Sequence, residues 1–393
     1  MDRKELANRL RAARERLGFT QAEVAERLGV HRPTISEIEA GRRGISSDEV
    51  SQFARIYATT VGALLRETAP SEEEALHVLF RGGDGLTPAG RAAAHRFLER
   101  CRAERELAQL LDAPTTGQVR PGYETGRLDT KLDAIRQGEQ VAADERRRLD
   151  LGSEPIRNIF ELIEAQQIHL GPLEEAEGLE LDGLYVETED LGACIAVNPA
   201  RDFGTGFRSA FTAAHEYAHW ILRDVLVEGF TFGPTDDLRE VRANAFAATF
   251  LMPEQGLRSH FESAGRLRRG VLAQLGEGDL VRAMDRFGVS RTALLYRLQN
   301  IRLLDPDAAE KLRAAEPDIR RTARALGLRL RLDWYDAGRL RELAVEAWRR
   351  GLISTGRAAE LTRTDIADFR RRMKVLGVRQ EDGAEQLSEF AAP

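Results

Sequence analysis

Leu6, Leu10, Ala13 and Leu17 recur at three- and four-residue spacing and predict a first helix, which Gly18 ends. Thr20-Gln21-Ala22-Glu23 reads as an N-cap with Glu at the third helical position, and Val24, Ala25 and Leu28 form the apolar face of the helix that follows. Gly29 then allows a tight turn into a third helix, from His31 to Ala40, with Ile35 and Ile38 inward and Gly41 at its end. Two helices joined by a short glycine-containing turn are a helix-turn-helix. The same look returns over residues 280–299, where Phe287-Gly288-Val289-Ser290 is the turn and Ala293-Leu294-Leu295-Tyr296-Arg297-Leu298 the second helix. This second unit reads as a packing element or substrate platform rather than another DNA reader.

Between these units the pattern is weaker. Thr68 to Glu74 reads as a break and a new helix start. Pro88 opens a helix with Phe97, Leu98, Leu107, Leu110 and Leu111 as apolar positions, and its charged stretch Arg91 to Glu106 predicts a solvated face. Asp112 to Gly117 and Arg120-Pro121-Gly122 form a turn-rich linker. Phe211, Ala214, Ala218, Ile221 and Leu222 then recur at helical spacing. Leu238 to Met252 is a further strongly helical stretch that Pro253 stops. Trp334, Leu340, Leu343, Ala347 and Trp348 predict another helix near the end, and the polar tail past Glu381 is expected to be disordered.

At 393 residues the chain is long enough for two or three domains. Its 42% hydrophobic and 31% charged content fits a globular protein. No apolar run approaches the ~18 residues that would span a bilayer, and the N-terminus is charged and amphipathic, so a cytoplasmic location without membrane partners is expected. Cys101 and Cys194 lack metal-site spacing and read as core thiols. The basic residues are nearly all Arg, a skew we attribute to GC-rich coding. A net charge of −6 and a pI of about 5.8 exclude a protein that is basic throughout, but not a single DNA-binding module.

The residues with the most chemistry are His215-Glu216-Tyr217-Ala218-His219-Trp220. On a helix, residues four apart share a face, so the two imidazoles can grip one Zn²⁺, and the carboxylate between them can reach a water on that metal. A third ligand is required, and Glu240, at the start of the next helix, could complete the set. Asn244, one turn on, could hydrogen-bond a ligand imidazole. A lone Glu in a first turn more often only serves the helix dipole; its place after a His-Glu-x-x-His helix favours a ligand. The set suits Zn²⁺ and is also compatible with Mn²⁺ or Fe²⁺.

Phe211-Thr212-Ala213-Ala214-His215-Glu216-Tyr217-Ala218-His219, followed by Glu240, Ala243-Asn244, Phe246-Ala247 and Leu251-Met252-Pro253, resembles the ImmA/IrrE family of bacterial metallopeptidases. Ala193 to Asn198 is similar to the strand that family places before its zinc helix, and Glu145 to Ile156 to its usual start; Tyr217 stands where a glycine or leucine is usual. The resemblance implies a thermolysin-like site with His215, His219 and Glu240 as metal ligands and Glu216 as general base. It also implies a helix-turn-helix repressor as substrate, cut to relieve stress or mobile-element genes. Gln21, Val24-Ala25, Leu28-Gly29-Val30, Thr34-Ile35-Ser36, Ile38-Glu39 and Gly41 resemble the XRE/Cro-repressor domains. In that geometry the third helix enters the major groove. His31, Arg32, Thr34 and Ser36 become candidate base or phosphate readers, Gln21, Arg42 and Arg43 phosphate contacts, and duplex DNA the partner. Residues 1–66 hold twelve Lys/Arg against nine Asp/Glu, so a monomer should bind DNA modestly and homodimerisation is left open as a route to tighter binding.

The fold expected is mainly α. A five-helix XRE-type helix-turn-helix domain occupies 1–66 and a helical connector and linker 67–128. An α+β zincin-like metallopeptidase domain with a small sheet occupies 129–305, a C-terminal helical unit 306–380 and a disordered tail 381–393. The activity expected is that of a zinc-dependent metalloendopeptidase attached to a transcription regulator. The competing class is a transcription factor whose peptidase-like domain only senses a ligand or partner.

Overall fold

The computed structural model describes residues 3–57, 64, 87–113, 120–174, 179, 181–188, 191–202, 205–224, 238–273, 275–315, 317–330 and 338–380. The break at 68–74, the fifth helix expected in the head, Trp334 and the tail lie outside the described residues.

Four helices build the head: α1 (Arg3–Arg16), α2 (Gln21–Leu28), α3 (Arg32–Glu39) and α4 (Ser47–Ile56). Both predicted devices at α2 are present, a Thr20/Glu23 capping box and a left-handed Gly29 with φ 67°. Leu10, Val24, Ile35, Ile38, Phe53 and Tyr57 fill the core. Glu39 is buried with them because Arg14 and Gln21 hold it, Nε at 2.6 Å and Nε2 at 3.0 Å from its oxygens.

Helix α5 (Pro88–Leu110) does not have the solvated face expected of it. Ala92 packs into the head, Phe97, Leu98 and Cys101 pack on the sheet, and Leu107 packs on Leu340, Ala344 and Ala347 near the C-terminus. Its charges are satisfied internally: Arg96 donates to the Glu174 carbonyl at 3.0 Å, and buried Glu104 faces His169 Nδ1 at 3.1 Å. Charge density predicted solvation; alanines and paired charges made the helix a buried spine instead. Cys101 and Cys194, distant in sequence, lie in one buried cluster as free thiols, and burial beside Cys194 raises the Cys101 thiol well above its ordinary value.

The central body begins with α6 (Lys131–Arg148) and α7 (Ile159–Ala165), followed by β1 (His169–Pro172), β2 (Gly183–Thr188) and β3 (Gly192–Val197). The sheet order is β1-β3-β2, with β3 parallel to β1 and antiparallel to β2. Ala193, Ile195 and Val197 point into the main core, while Cys194 and Ala196 point towards α5. Burial on both faces explains why β3 reads as a continuous apolar run without alternation. The predicted zinc helix is α8 (Phe207–Leu222) and the helix after it is α9 (Leu238–Leu251).

Then come α10 (Glu254–Ser263), a two-residue β4/β5 ladder, α11 (Glu277–Phe287), α12 (Arg291–Asn300), α13 (Pro306–Ala314) and α14 (Ile319–Ala325). Leu294, Leu295, Arg297 and Leu298 of α12 are buried, so this second helix-turn-helix packs into the body. The C-terminal unit is α15 (Arg339–Arg349), α16 (Thr355–Leu361) and α17 (Ile366–Val375), closed around Trp348, Ala358, Phe369 and Met373. Among the described residues no helix is long and apolar enough to cross a membrane.

Helices α6 and α9 meet backbone to backbone at Gly138. A Cβ there would strike the Arg242 carbonyl and come within 2.9 Å of the Phe246 amide and 3.0 Å of the Ala245 Cβ. Gly138→Ala gains ~1 kcal/mol of helix propensity, and overpacking against a backbone costs about 1–3 kcal/mol. We expect a net loss, read as a lower urea midpoint with an unchanged slope.

Candidate metal centre

Helix α8 is held at both ends by side chains that fix where its histidines point. The Asp202 carboxylate accepts from the amides of Thr205 (3.0 Å), Gly206 (2.9 Å) and Ser209 (3.0 Å), which stabilises the N-terminus. At the other end Arg223 takes a left-handed conformation, φ 53°, and turns the chain so that the Asp224 amide reaches the His219 carbonyl at 3.1 Å.

His215 and His219 place their Nε2 atoms 3.1 Å apart. Glu240 spans them, with Oε2 3.1 Å from His215 and Oε1 3.3 Å from His219. The Nδ1 atoms are occupied on the far side: His215 Nδ1 lies 3.1 Å from Asn244 Oδ1, and His219 Nδ1 lies 3.2 Å from Asp224 Oδ2. A ring donating from Nδ1 leaves its Nε2 as a lone pair. With each Nδ1 facing an acceptor oxygen, the two neutral rings would turn their Nε2 lone pairs towards the carboxylate, so the residues fit a divalent cation. The three ligand atoms lie within 4.8 Å of one another.

Burial alone would lower His219, but the hydrogen bonds with Asp224 and Glu240 push it up to about 10. Burial would raise Glu240, yet the same two imidazoles hold it well below the usual carboxylate range.

Asp224 has no helical period to mark it, since it lies two residues beyond the helix. Its only sequence signal is a carboxylate five residues after the second histidine. It is 5% exposed and ion-paired with Arg242, which also donates to Gln137 Oε1 at 3.1 Å. Gln137 in turn donates to the Gly126 carbonyl at 2.9 Å. A chain of hydrogen bonds thus runs from the segment before α6 to a ligand histidine.

Glu216 is half-buried beside this set, and burial pushes its carboxyl up, with Glu240 and Asp182 adding to the shift. Gly183 of β2 lets the strand lie against it: a Cβ there would strike Thr212 and come within 2.8 Å of Glu216 Oε1. Gly183 carries no sequence motif and escaped the reading of the chain alone.

Residues 5–68 match the family model described as a helix-turn-helix domain, and residues 180–299 match that described as an IrrE N-terminal-like domain. The chain joins these two domains. No curated protein and no solved structure matches it. The second match contains β2, β3, His215, Glu216, His219 and Glu240, and also the α11–α12 pair.

In the helix-turn-helix domain, His31 and Arg32 are exposed at the start of α3, and Thr34 and Ser36 are half-buried. Gln21 is engaged by Glu39. Arg42 and Arg43 are exposed but paired with Glu37 (2.8 Å) and Glu49 (2.9 Å).

Removing a partner that orients a ligand histidine typically costs 10–100-fold in metal affinity. Asp224→Ala should weaken Zn²⁺ binding by about that factor in a chelator competition, and an unchanged affinity would show that Asp224 does not orient His219.

A metal must displace the His219 proton, so apparent affinity should rise with pH towards about 10 and fall as the solution becomes more acid. Titrations at two pH values either side of neutral, giving tighter binding at the higher, would check the sign.

Proposed function

We propose that this protein is a DNA-binding transcriptional regulator with Zn-dependent endopeptidase activity, and that it cleaves a helix-turn-helix repressor to release stress or mobile-element genes. The observation that carries the reading is Glu216. It stands beside the His215-His219-Glu240 donor set, and burial raises its carboxyl above its ordinary value.

A divalent ion held by those three residues would polarise a peptide carbonyl and acidify a water molecule. Glu216, one residue past His215 and about 100° round the helix, would serve as the base that takes a proton from the attacking water and returns it to the leaving amine. Asn244 and Asp224 fix the tautomers of the two imidazoles. The helix-turn-helix domain would bring this centre to duplex DNA, with Gln21, His31, Arg32, Thr34, Ser36, Arg42 and Arg43 as the contacts. A repressor bound at the same operators is then the nearest protein substrate.

Glu216→Gln keeps size and hydrogen bonding but cannot take the proton. It should retain one metal per chain and slow repressor cleavage by roughly 10²–10⁴-fold, while His215→Ala loses metal and cleavage together. A protein that only senses a ligand would regulate its genes normally with Gln at 216. Normal derepression in cells carrying Glu216→Gln would sink the peptidase reading even with zinc bound.

A further inference from the structure

Among the described residues, the turn that closes the head's helix-turn-helix recurs at two later junctions between short helices; the α1–α2 turn has it as well, with the Phe19 amide donating to the Arg14 carbonyl at 3.1 Å, Gly18 at φ 71° and Val24 buried. In the head, the Val30 amide donates to the Ala25 carbonyl at 2.9 Å, Gly29 is left-handed at φ 67°, and Ile35, ten residues past Ala25, is buried. At α11–α12 the corresponding residues are Val289 to Met284 (3.2 Å), Gly288 (φ 64°) and buried Leu294. At α16–α17 they are Thr364 to Ala359 (2.9 Å), Arg363 (φ 56°) and buried Phe369. This is the helix-ending turn of a helix-turn-helix, repeated at the same spacing.

The head, α11–α12 and α16–α17 pairs differ in what their second helix leaves uncovered. Helix α12 is buried in the body, as described above. Helix α17 buries only Phe369 and Met373 and leaves Arg370, Arg371, Arg372 and Lys374 exposed. Arg371 pairs with Asp368; Arg370, Arg372 and Lys374 make no ion pair among the described residues. Residues 339–380 hold eleven Lys/Arg against five Asp/Glu in a chain whose net charge is −6. The head is less basic than this unit.

We propose that the C-terminal unit is a second duplex-DNA contact, which grips the phosphate backbone through α17. Arg370, Arg371 and Lys374 fall on one helical face, the arrangement that tracks a line of phosphates. Base reading is unfavourable here. The first turn of α17, the end that enters a groove in the head's α3, carries Asp365 and Asp368, which would face the phosphates with like charge. The unit therefore adds sequence-independent affinity, complementing a head whose own charge excess is small. This inference does not rest on the peptidase reading.

The test uses the full-length, metal-loaded protein and two probes: its own promoter region and a random-sequence duplex, each titrated against rising KCl. Arg370→Ala/Arg371→Ala/Lys374→Ala alters exposed side chains only, so its melting temperature should match the parent. The slope of log affinity against log salt should fall by about two to three, and random-duplex affinity by roughly tenfold or more, with the promoter-to-random ratio kept. Arg32→Ala/Thr34→Ala in the head should do the reverse, losing the ratio and keeping most of the slope. Arg370→Lys/Arg371→Lys should retain the slope. An unchanged slope and affinity in the triple variant overturns the proposal. So does tighter binding of a single-stranded RNA than of the duplex, or a triple variant that keeps duplex binding but no longer binds a repressor protein.

Discussion

Two imidazole lone pairs and a carboxylate held within hydrogen-bond distance cannot satisfy one another without a positive charge between them. That constraint explains much of the surrounding structure. His215 and His219 must lie on one face of α8, and α9 must approach closely enough for Glu240 to bridge them. Helix α6 backs α9, and Gly138 lets the two backbones touch where a Cβ would strike the Arg242 carbonyl. Asp202 and Asp224 then fix the ends of α8, and Asp224 also fixes a ring.

The helices that carry this set are tied together by buried charges as well as apolar packing. Glu145 on α6 is fully buried and accepts from Tyr217 of the zinc helix and Tyr123, each at 2.5 Å, and from Arg148 at 2.7 Å. This gives Tyr217 a purpose at a position that points away from the His215-His219-Glu240 set. Arg146 donates to the Phe250 carbonyl at 2.5 Å and Arg297 to the Met252 carbonyl at 3.2 Å. Both satisfy carbonyls at the C-terminal end of α9 that the helix itself leaves open. Burial lowers the Arg146 guanidinium to about 10, a cost accepted because its donors are nearly all used.

The repeated helix-turn-helix frame shows one local solution used for different ends. In the head, α11–α12 and α16–α17 copies a left-handed residue and one long-range amide close the turn, and a buried apolar residue anchors the second helix. Whether that helix becomes core or surface depends on residues outside the frame. Leu294 and Leu298 of α12 match buried Phe369 and Met373 of α17, but buried Leu295 is matched by exposed Arg370, which keeps that face of α17 out.

Much of the site was legible in the chain because it obeys helical periodicity. The four-residue spacing of His215 and His219, and of Glu240 and Asn244, is fixed by 3.6 residues per turn whatever the surroundings. The head's caps and its glycine turn are equally local, which is why Thr20, Glu23 and Gly29 appear as expected. Long-range packing decided the rest. Asp224 and Gly183 act through space, from a turn and a strand, with no period to expose them. Helix α5 reads as a charged connector because sequence shows charge but not the partners that neutralise it. Its burial, and the meeting of Cys101 with Cys194, arise only when the head, the sheet and the C-terminal unit close around it.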